Sequence, residues 1–126
     1  MVDIHLQVQH WLKGGQEDWL AACSLIEHGH HRQGLFMAHL ALEKFLKAKV
    51  CQQTCDLAPR LHNLVQLAAL AKLYPTKEQE DTLADMNQFN LQGRYPEEMA
   101  SPPTPAKSRT FMARTKEVIE WLTQES

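Results

Sequence analysis

Apolar positions in the first half of the chain recur with helical spacing. From about His5 to His28 they follow steps of three, four and seven residues, which places them on one face of a helix interrupted at Gly14-Gly15, where it could kink. From about His31 to Gln52 the apolar side chains surround most of the helical circumference, which predicts a buried, central helix. The apolar positions of the first segment are Val8, Leu12, Trp19, Cys23 and Ile26.

The second half of the chain predicts three further helices separated by clear stop signals. Residues 56–59 end in proline and break the chain, and a short third helix follows from about Leu61 to Leu73. Thr76 and Gln79 form a capping-box pattern that opens a fourth helix reaching about Asn90, with Gly93 as its stop. After a proline-rich connection over residues 101–105, Thr104 and Pro105 open a last helix to about Gln124.

These elements predict an all-α fold. Strand signals are weak, because β-branched residues are sparse and alternating apolar and polar runs are missing. The short connections favour antiparallel neighbours, and therefore an up-and-down helical bundle of four long helices plus one short helix. A chain of 126 residues with 44% hydrophobic content fits a single domain over residues 1–126.

Composition narrows the classes of partner. The net charge is -2 with the histidines neutral, so no overall basic field favours DNA or anionic lipid, and any RNA or nucleotide contact is expected to be local. The three cysteines do not form a disulfide framework, the first residues do not resemble a secretory signal, and no apolar run reaches the length of a membrane span. We therefore expect a cytoplasmic protein without a membrane segment.

A polar stripe runs along one side of the otherwise apolar second helix. His39, Glu43 and Lys47 are four residues apart, so their side chains lie on the same side of the helix. One interpretation is a nucleotide or RNA site in which Lys47 meets phosphate. The other is a polar seam within a dimer interface, because Glu43 precedes Lys47 in the favourable order for a helical ion pair.

Several short motifs occur together along the chain. They are residues 38–48 of the second helix, with Glu43-Lys44 and Leu46-Lys47-Ala48, Trp11-Leu12 and Asp18 in the first helix, residues 59–64 opening the third, and Arg94-Tyr95-Pro96 after the fourth. In sequence and in order these motifs resemble the signature of the HEPN family. The resemblance implies a small helical bundle, often dimeric and often encoded beside a minimal nucleotidyltransferase. It also implies a ribonuclease toxin or a module that binds nucleotide or RNA.

The catalytic motif of the ribonuclease members is missing from its usual place. That motif is an arginine followed, after four to six residues, by a histidine late in the domain, whereas the last histidine here is His62. Arg32 and His39 have the spacing but lie at the start of the second helix, and acid–base cleavage would require them to face a shared cleft. The sequence therefore assigns no catalytic residue and leaves open whether the protein is an enzyme.

Three other residues complete the candidate ligand-binding set. His62 is expected either to cap the third helix or to join a polar cleft beside the second helix. Arg94 and Tyr95 suit a phosphate and a stacked base, or serve as a helix stop in which Tyr95 packs.

No metal or cofactor is expected at the remaining histidines and cysteines. Histidines 28, 30 and 31 lie at a helix end, where the helix dipole favours them. Cys51 and Cys55 are interpreted as buried packing residues.

The preferred function is a dimeric module that binds nucleotide or RNA. It would belong to a two-component, toxin–antitoxin-like system with a nucleotidyltransferase protein partner. One alternative is a metal-independent endoribonuclease toxin that uses His39 or His62 with Arg94 or Arg32. Another is a structural adaptor without a ligand, whose polar stripe only sets the register of helix packing.

Overall fold

The computed structural model describes residues 3–90 and 103–124, and this part of the chain is entirely helical apart from its connections. It contains no strand, which confirms the predicted all-α bundle. None of its helices combines the length and the hydropathy that crossing a bilayer requires. The five helices are α1 (Ile4–Glu27), α2 (His31–Thr54), α3 (Leu64–Leu70), α4 (Lys77–Met86) and α5 (Pro105–Leu122).

Capping side chains fix most helix starts where the sequence predicts them. The Thr76 hydroxyl accepts from the Gln79 amide while the Gln79 side chain accepts from the Thr76 amide, so the predicted capping box is confirmed. Thr104 caps α5 through the Lys107 amide, with Pro105 in the first turn. The third and fourth helices differ slightly from expectation, because Asn63 caps α3 and α4 ends at Met86 before residues 88–90 become helical again.

Helix α2 is the central element of the bundle. It packs against α1, α3 and α5, and 13 of its 24 residues are buried, whereas α1 buries only Val8, Gly15 and Ala22. The prediction of a buried second helix is therefore confirmed. Its outer side is not fully covered, since Phe36 and Leu40 remain partly exposed.

Helices α1 and α2 form an antiparallel pair that meets at glycines. Gly14 and Gly15 lie within one uninterrupted helix, so the pair does not break α1. A Cβ atom at Gly15 would lie 3.0 to 3.1 Å from ring carbons of Phe45, and one at Gly34 would lie 2.6 Å from Cδ1 of Ile26. These glycines permit the two backbones to approach closely.

The cysteines divide between core and surface. Cys51 is buried beside Val8 and Ala48, as expected of a packing residue. Cys55 is exposed in the left-handed conformation that ends α2, so its expected burial is wrong. Cys23 is also exposed, because the inner face of α1 runs through Ala22 and leaves Cys23 outside it.

Paired substitutions test the glycine contact between α1 and α2. We expect Gly15→Ala to lower the free energy of unfolding by about 1–3 kcal/mol, because the new methyl group crowds the Phe45 ring, which is buried in the core. Gly14→Ala is the matched control. Its new methyl group meets only the flexible Lys44 side chain, and alanine favours a helix over glycine, so we expect a gain of about 0.5–1 kcal/mol. Urea unfolding measures both; equal effects would contradict this account of the contact.

Candidate functional site

The carboxylate of Glu43 is the centre of a cluster of basic side chains. Oε2 lies 3.0 Å from Nζ of Lys47 and 3.0 Å from Nδ1 of His62, and Oε1 lies 3.4 Å from Nε2 of His39. The Glu43 side chain is only 8% exposed. The four residues, Glu43, His39, Lys47 and His62, are called the Glu43 cluster below.

His39 links the cluster to the end of α4. Its Nδ1 lies 3.2 Å from the carbonyl oxygen of Met86, so this nitrogen carries a proton and donates it. Nε2, on the opposite side of the ring, faces Glu43 and attracts the carboxylate only when it carries a proton as well. The ring is 1% exposed, so His39 holds α2 against α4 and offers no surface to a ligand.

Lys47 is also buried, and its ammonium group contacts partners within the protein. Its ammonium donates to Glu43 and lies 5.2 Å from the centroid of the Trp11 ring, a cation–π arrangement that joins α2 to α1. The Lys47 side chain is 7% exposed. This geometry favours the interpretation of the stripe as a polar seam over direct contact between Lys47 and phosphate, although the seam lies within one chain.

His62 is the exposed member of the cluster. Its side chain is 51% exposed, and its Nδ1 contacts Glu43 from the loop before α3. The α3 cap is Asn63, whose Oδ1 accepts from the Gln66 amide, so the interpretation of His62 as the cap is wrong. The alternative, a polar cleft beside α2, matches the contact with Glu43.

The cluster keeps its carboxylate ionised. Burial acts to raise the pKa of Glu43, but the contact with His39, the hydrogen bonds with His62 and Lys47, and the Lys47 charge outweigh burial and lower the pKa to about 2. One negative charge is therefore shared among three basic side chains.

Two neighbouring contacts extend the polar network and were not predicted. Oδ2 of Asp18 lies 2.7 Å from Nζ of Lys44, so Asp18, one of the residues that carry the family resemblance, joins α1 to α2. Asn87 accepts from the Leu64 amide and donates to Asn63, which ties the end of α4 to the start of α3. Pairs of this kind join residues distant in sequence and leave no periodic signal.

The other candidates lie apart from the cluster or beyond the described residues. Arg32 precedes His39 by two turns of α2, a rise of about 10 Å, and the burial of His39 prevents the pair from sharing an open cleft. Arg94 and Tyr95 lie outside residues 3–90 and 103–124.

The histidines between α1 and α2 behave as residues of a helix end. Nδ1 of His28 lies 2.7 Å from the Ser24 carbonyl oxygen in the last turn of α1, as expected for a histidine at this position. In the described part of the chain, no group of three or more histidine, cysteine, aspartate or glutamate side chains is arranged to hold a metal ion.

Acid titration tests the charge balance of the cluster. Because the folded-state pKa of Glu43 lies below its ordinary value of 4.5, stability from this group is complete above pH 4.5 and is lost as the pH falls toward 2. We expect this loss to be on the order of 1–2 kcal/mol, allowing for solvent that enters beside His62, and to disappear in Glu43→Gln. Denaturant unfolding between pH 5 and pH 2.5 measures it.

The exposed Glu117 supplies the control, since Glu117→Gln should keep the wild-type dependence on pH. If Glu43→Gln does not fold, His62→Ala should show a reduced loss instead. A wild-type stability that does not change over this range would contradict the predicted role of Glu43.

Three of the resemblance motifs meet at this site, since Trp11, Glu43 with Lys47, and His62 are joined by successive contacts. The model of the HEPN domain family matches residues 8–125. Comparison with curated proteins and with solved structures gave no match. A family match over nearly the whole chain, on a helical bundle whose signature residues converge, establishes that the chain belongs to the HEPN family.

Proposed function

We propose that this HEPN domain is a module that binds the phosphate groups of a nucleotide or of RNA at His62. The supporting observation is the sharing of the Glu43 carboxylate among three bases, of which only His62 is exposed. Glu43 accepts the Nδ1 proton of His62, so the second ring nitrogen, Nε2, is left for a ligand and, when the imidazole is protonated on both nitrogens, donates to a phosphate oxygen. Arg60, exposed two residues earlier in the same loop, adds a second positive charge.

A charge-assisted contact at His62 suits an anion better than a neutral ligand. Hydrogen bonds to charged phosphate oxygens are stronger than those between neutral groups, and the exposed guanidinium of Arg60 in the same loop favours negative charge beside His62. Arg94 and Tyr95 complete this proposal as further contacts for phosphate and base. His39, Glu43 and Lys47 act through His62, because each of their side chains is less than 10% exposed.

The proposal includes a protein partner and a cellular setting. Following the family resemblance, we propose that the domain forms a homodimer and pairs with a nucleotidyltransferase protein in a two-component, toxin–antitoxin-like system in the cytoplasm. All three cysteines are free thiols, which suits a reducing compartment. The apolar residues of α2 are largely covered within one chain, so the proposed dimer uses another surface.

Substitution of His62 tests ligand binding. We expect His62→Ala to weaken binding of a single-stranded RNA 12-mer or of ATP by about tenfold, because a hydrogen bond to a charged group is lost. Fluorescence anisotropy of the labelled ligand at low salt measures affinity, and wild-type binding should fall as salt rises. His30→Ala is the matched control, because His30 is exposed and its side chain makes no capping bond.

Equal affinity for wild type and His62→Ala would exclude His62 as the site. Wild-type protein that binds neither RNA nor ATP would support the alternative of a structural adaptor without a ligand.

Co-purification tests the partner. The tagged protein, isolated from its native host under gentle conditions, is expected to retain a nucleotidyltransferase in stoichiometric amount, identified by mass spectrometry. A preparation in which the chain is repeatedly recovered without such a protein would contradict the two-component assignment.

A metal-independent endoribonuclease is the second candidate, and the contact between Glu43 and His62 favours it specifically. A carboxylate on Nδ1 orients an imidazole for acid–base chemistry at Nε2, whereas the buried His39 is not accessible to RNA. Incubation of the same RNA with chelator distinguishes the candidates. Cleavage that is lost in His62→Ala but kept in His30→Ala would make the protein a nuclease, and intact RNA would leave it a binding module.

A further inference from the structure

The turn between α3 and α4 presents an unusually exposed aromatic side chain. Tyr74 is 91% exposed, and Leu70 at the end of α3 is 45% exposed. The turn itself is fixed, because Lys72 adopts the left-handed conformation and the Leu73 amide donates to the Ala68 carbonyl, as in a Schellman motif. The position of Tyr74 is therefore set by a hydrogen-bonded turn.

An apolar cavity lies beside this turn. Its volume is about 190 Å³. That is smaller than the roughly 300–1,000 Å³ typical of pockets for small molecules, and it suits a single side chain. Leu73 and Pro75, the neighbours of Tyr74 in sequence, line the cavity, whereas Tyr74 extends into solvent. The other lining residues are Val65, Ala68, Ala69, Glu80 and Leu83.

We propose that the turn and the cavity beside it, together called the corner below, form the homodimer interface and that each copy inserts Tyr74 into the cavity of the other. A projecting aromatic side chain beside an apolar cavity is self-complementary, because a twofold axis between them places both tyrosines in both cavities at once. The proposal rests on the dimer included in the proposed function and names the surface that forms it.

The charges of the corner favour a second copy of the chain as the occupant. Lys72 on the turn and Glu80 on the cavity wall have opposite signs, so two copies related by a twofold axis can place each lysine near a glutamate of the other copy. Glu80 can also accept a hydrogen bond from the inserted tyrosine hydroxyl. Tyrosine with an apolar body and a polar tip is a common anchor of interfaces.

Sedimentation velocity over a range of protein concentrations tests the interface. We expect Tyr74→Ala to weaken dimerisation at least tenfold, and Ala69→Leu, which fills the cavity, to do the same. Leu20→Ala is the control, because Leu20 is 70% exposed on α1, away from this corner, and its loss should leave the dimer unchanged.

Mixing the two variants provides the sharper test. Tyr74→Ala keeps an open cavity and Ala69→Leu keeps its tyrosine, so one of the two insertions is restored in the mixed pair. Native mass spectrometry should then show heterodimers at concentrations where each variant alone is monomeric.

Three outcomes separate the proposals. A dimer of unchanged affinity in Tyr74→Ala, or no heterodimer on mixing, would overturn the interface and leave the dimer itself standing. A wild-type protein that is monomeric at every concentration would overturn both. RNA or ATP binding at His62 is measured separately and does not depend on either result.

Discussion

The buried carboxylate of Glu43 is the constraint on which the arrangement of the bundle depends. An ionised group on the central helix is costly to bury unless other groups compensate its charge, and three side chains, two on α2 and one on the loop before α3, supply that compensation. Lys47 does so from the same helix while resting on Trp11 of α1. His39 connects the carboxylate to the end of α4, and His62 brings the loop before α3 to it. The cluster thus holds α1, the end of α4 and the loop before α3 against α2.

The sequence predicts the helices well because their signals are local. Caps at Thr76 and Thr104 and the apolar periodicity of α2 depend on residues close together in the chain, and these features match the structure. The four-residue spacing of His39, Glu43 and Lys47 likewise predicts a shared stripe. Whether that stripe is open or enclosed is set by Trp11 and His62, which approach it from elsewhere. No spacing within α2 contains that information.

Burial limits what the signature residues can contact. A lysine in a helical motif suggests contact with phosphate, but a lysine that already bonds Glu43 and lies over an aromatic ring has little surface left to offer. The member of the cluster that remains exposed is His62, which contacts the same carboxylate. In this chain, without the usual arginine and histidine motif, the family signature serves first to hold the bundle together and only then to orient one exposed imidazole.

The close pairing of α1 and α2 has a consequence for how the chain folds. These two helices are joined by only three residues, whereas His62 lies 19 positions and Met86 lies 47 positions from their contacts on α2. Nearby contacts close with a smaller loss of chain entropy than distant ones. We therefore expect the hairpin of α1 and α2 to form early and the contacts of His39 and His62 to form afterwards. Pulsed hydrogen exchange during refolding measures this order, and protection of α3 and α4 before α1 and α2 would contradict it.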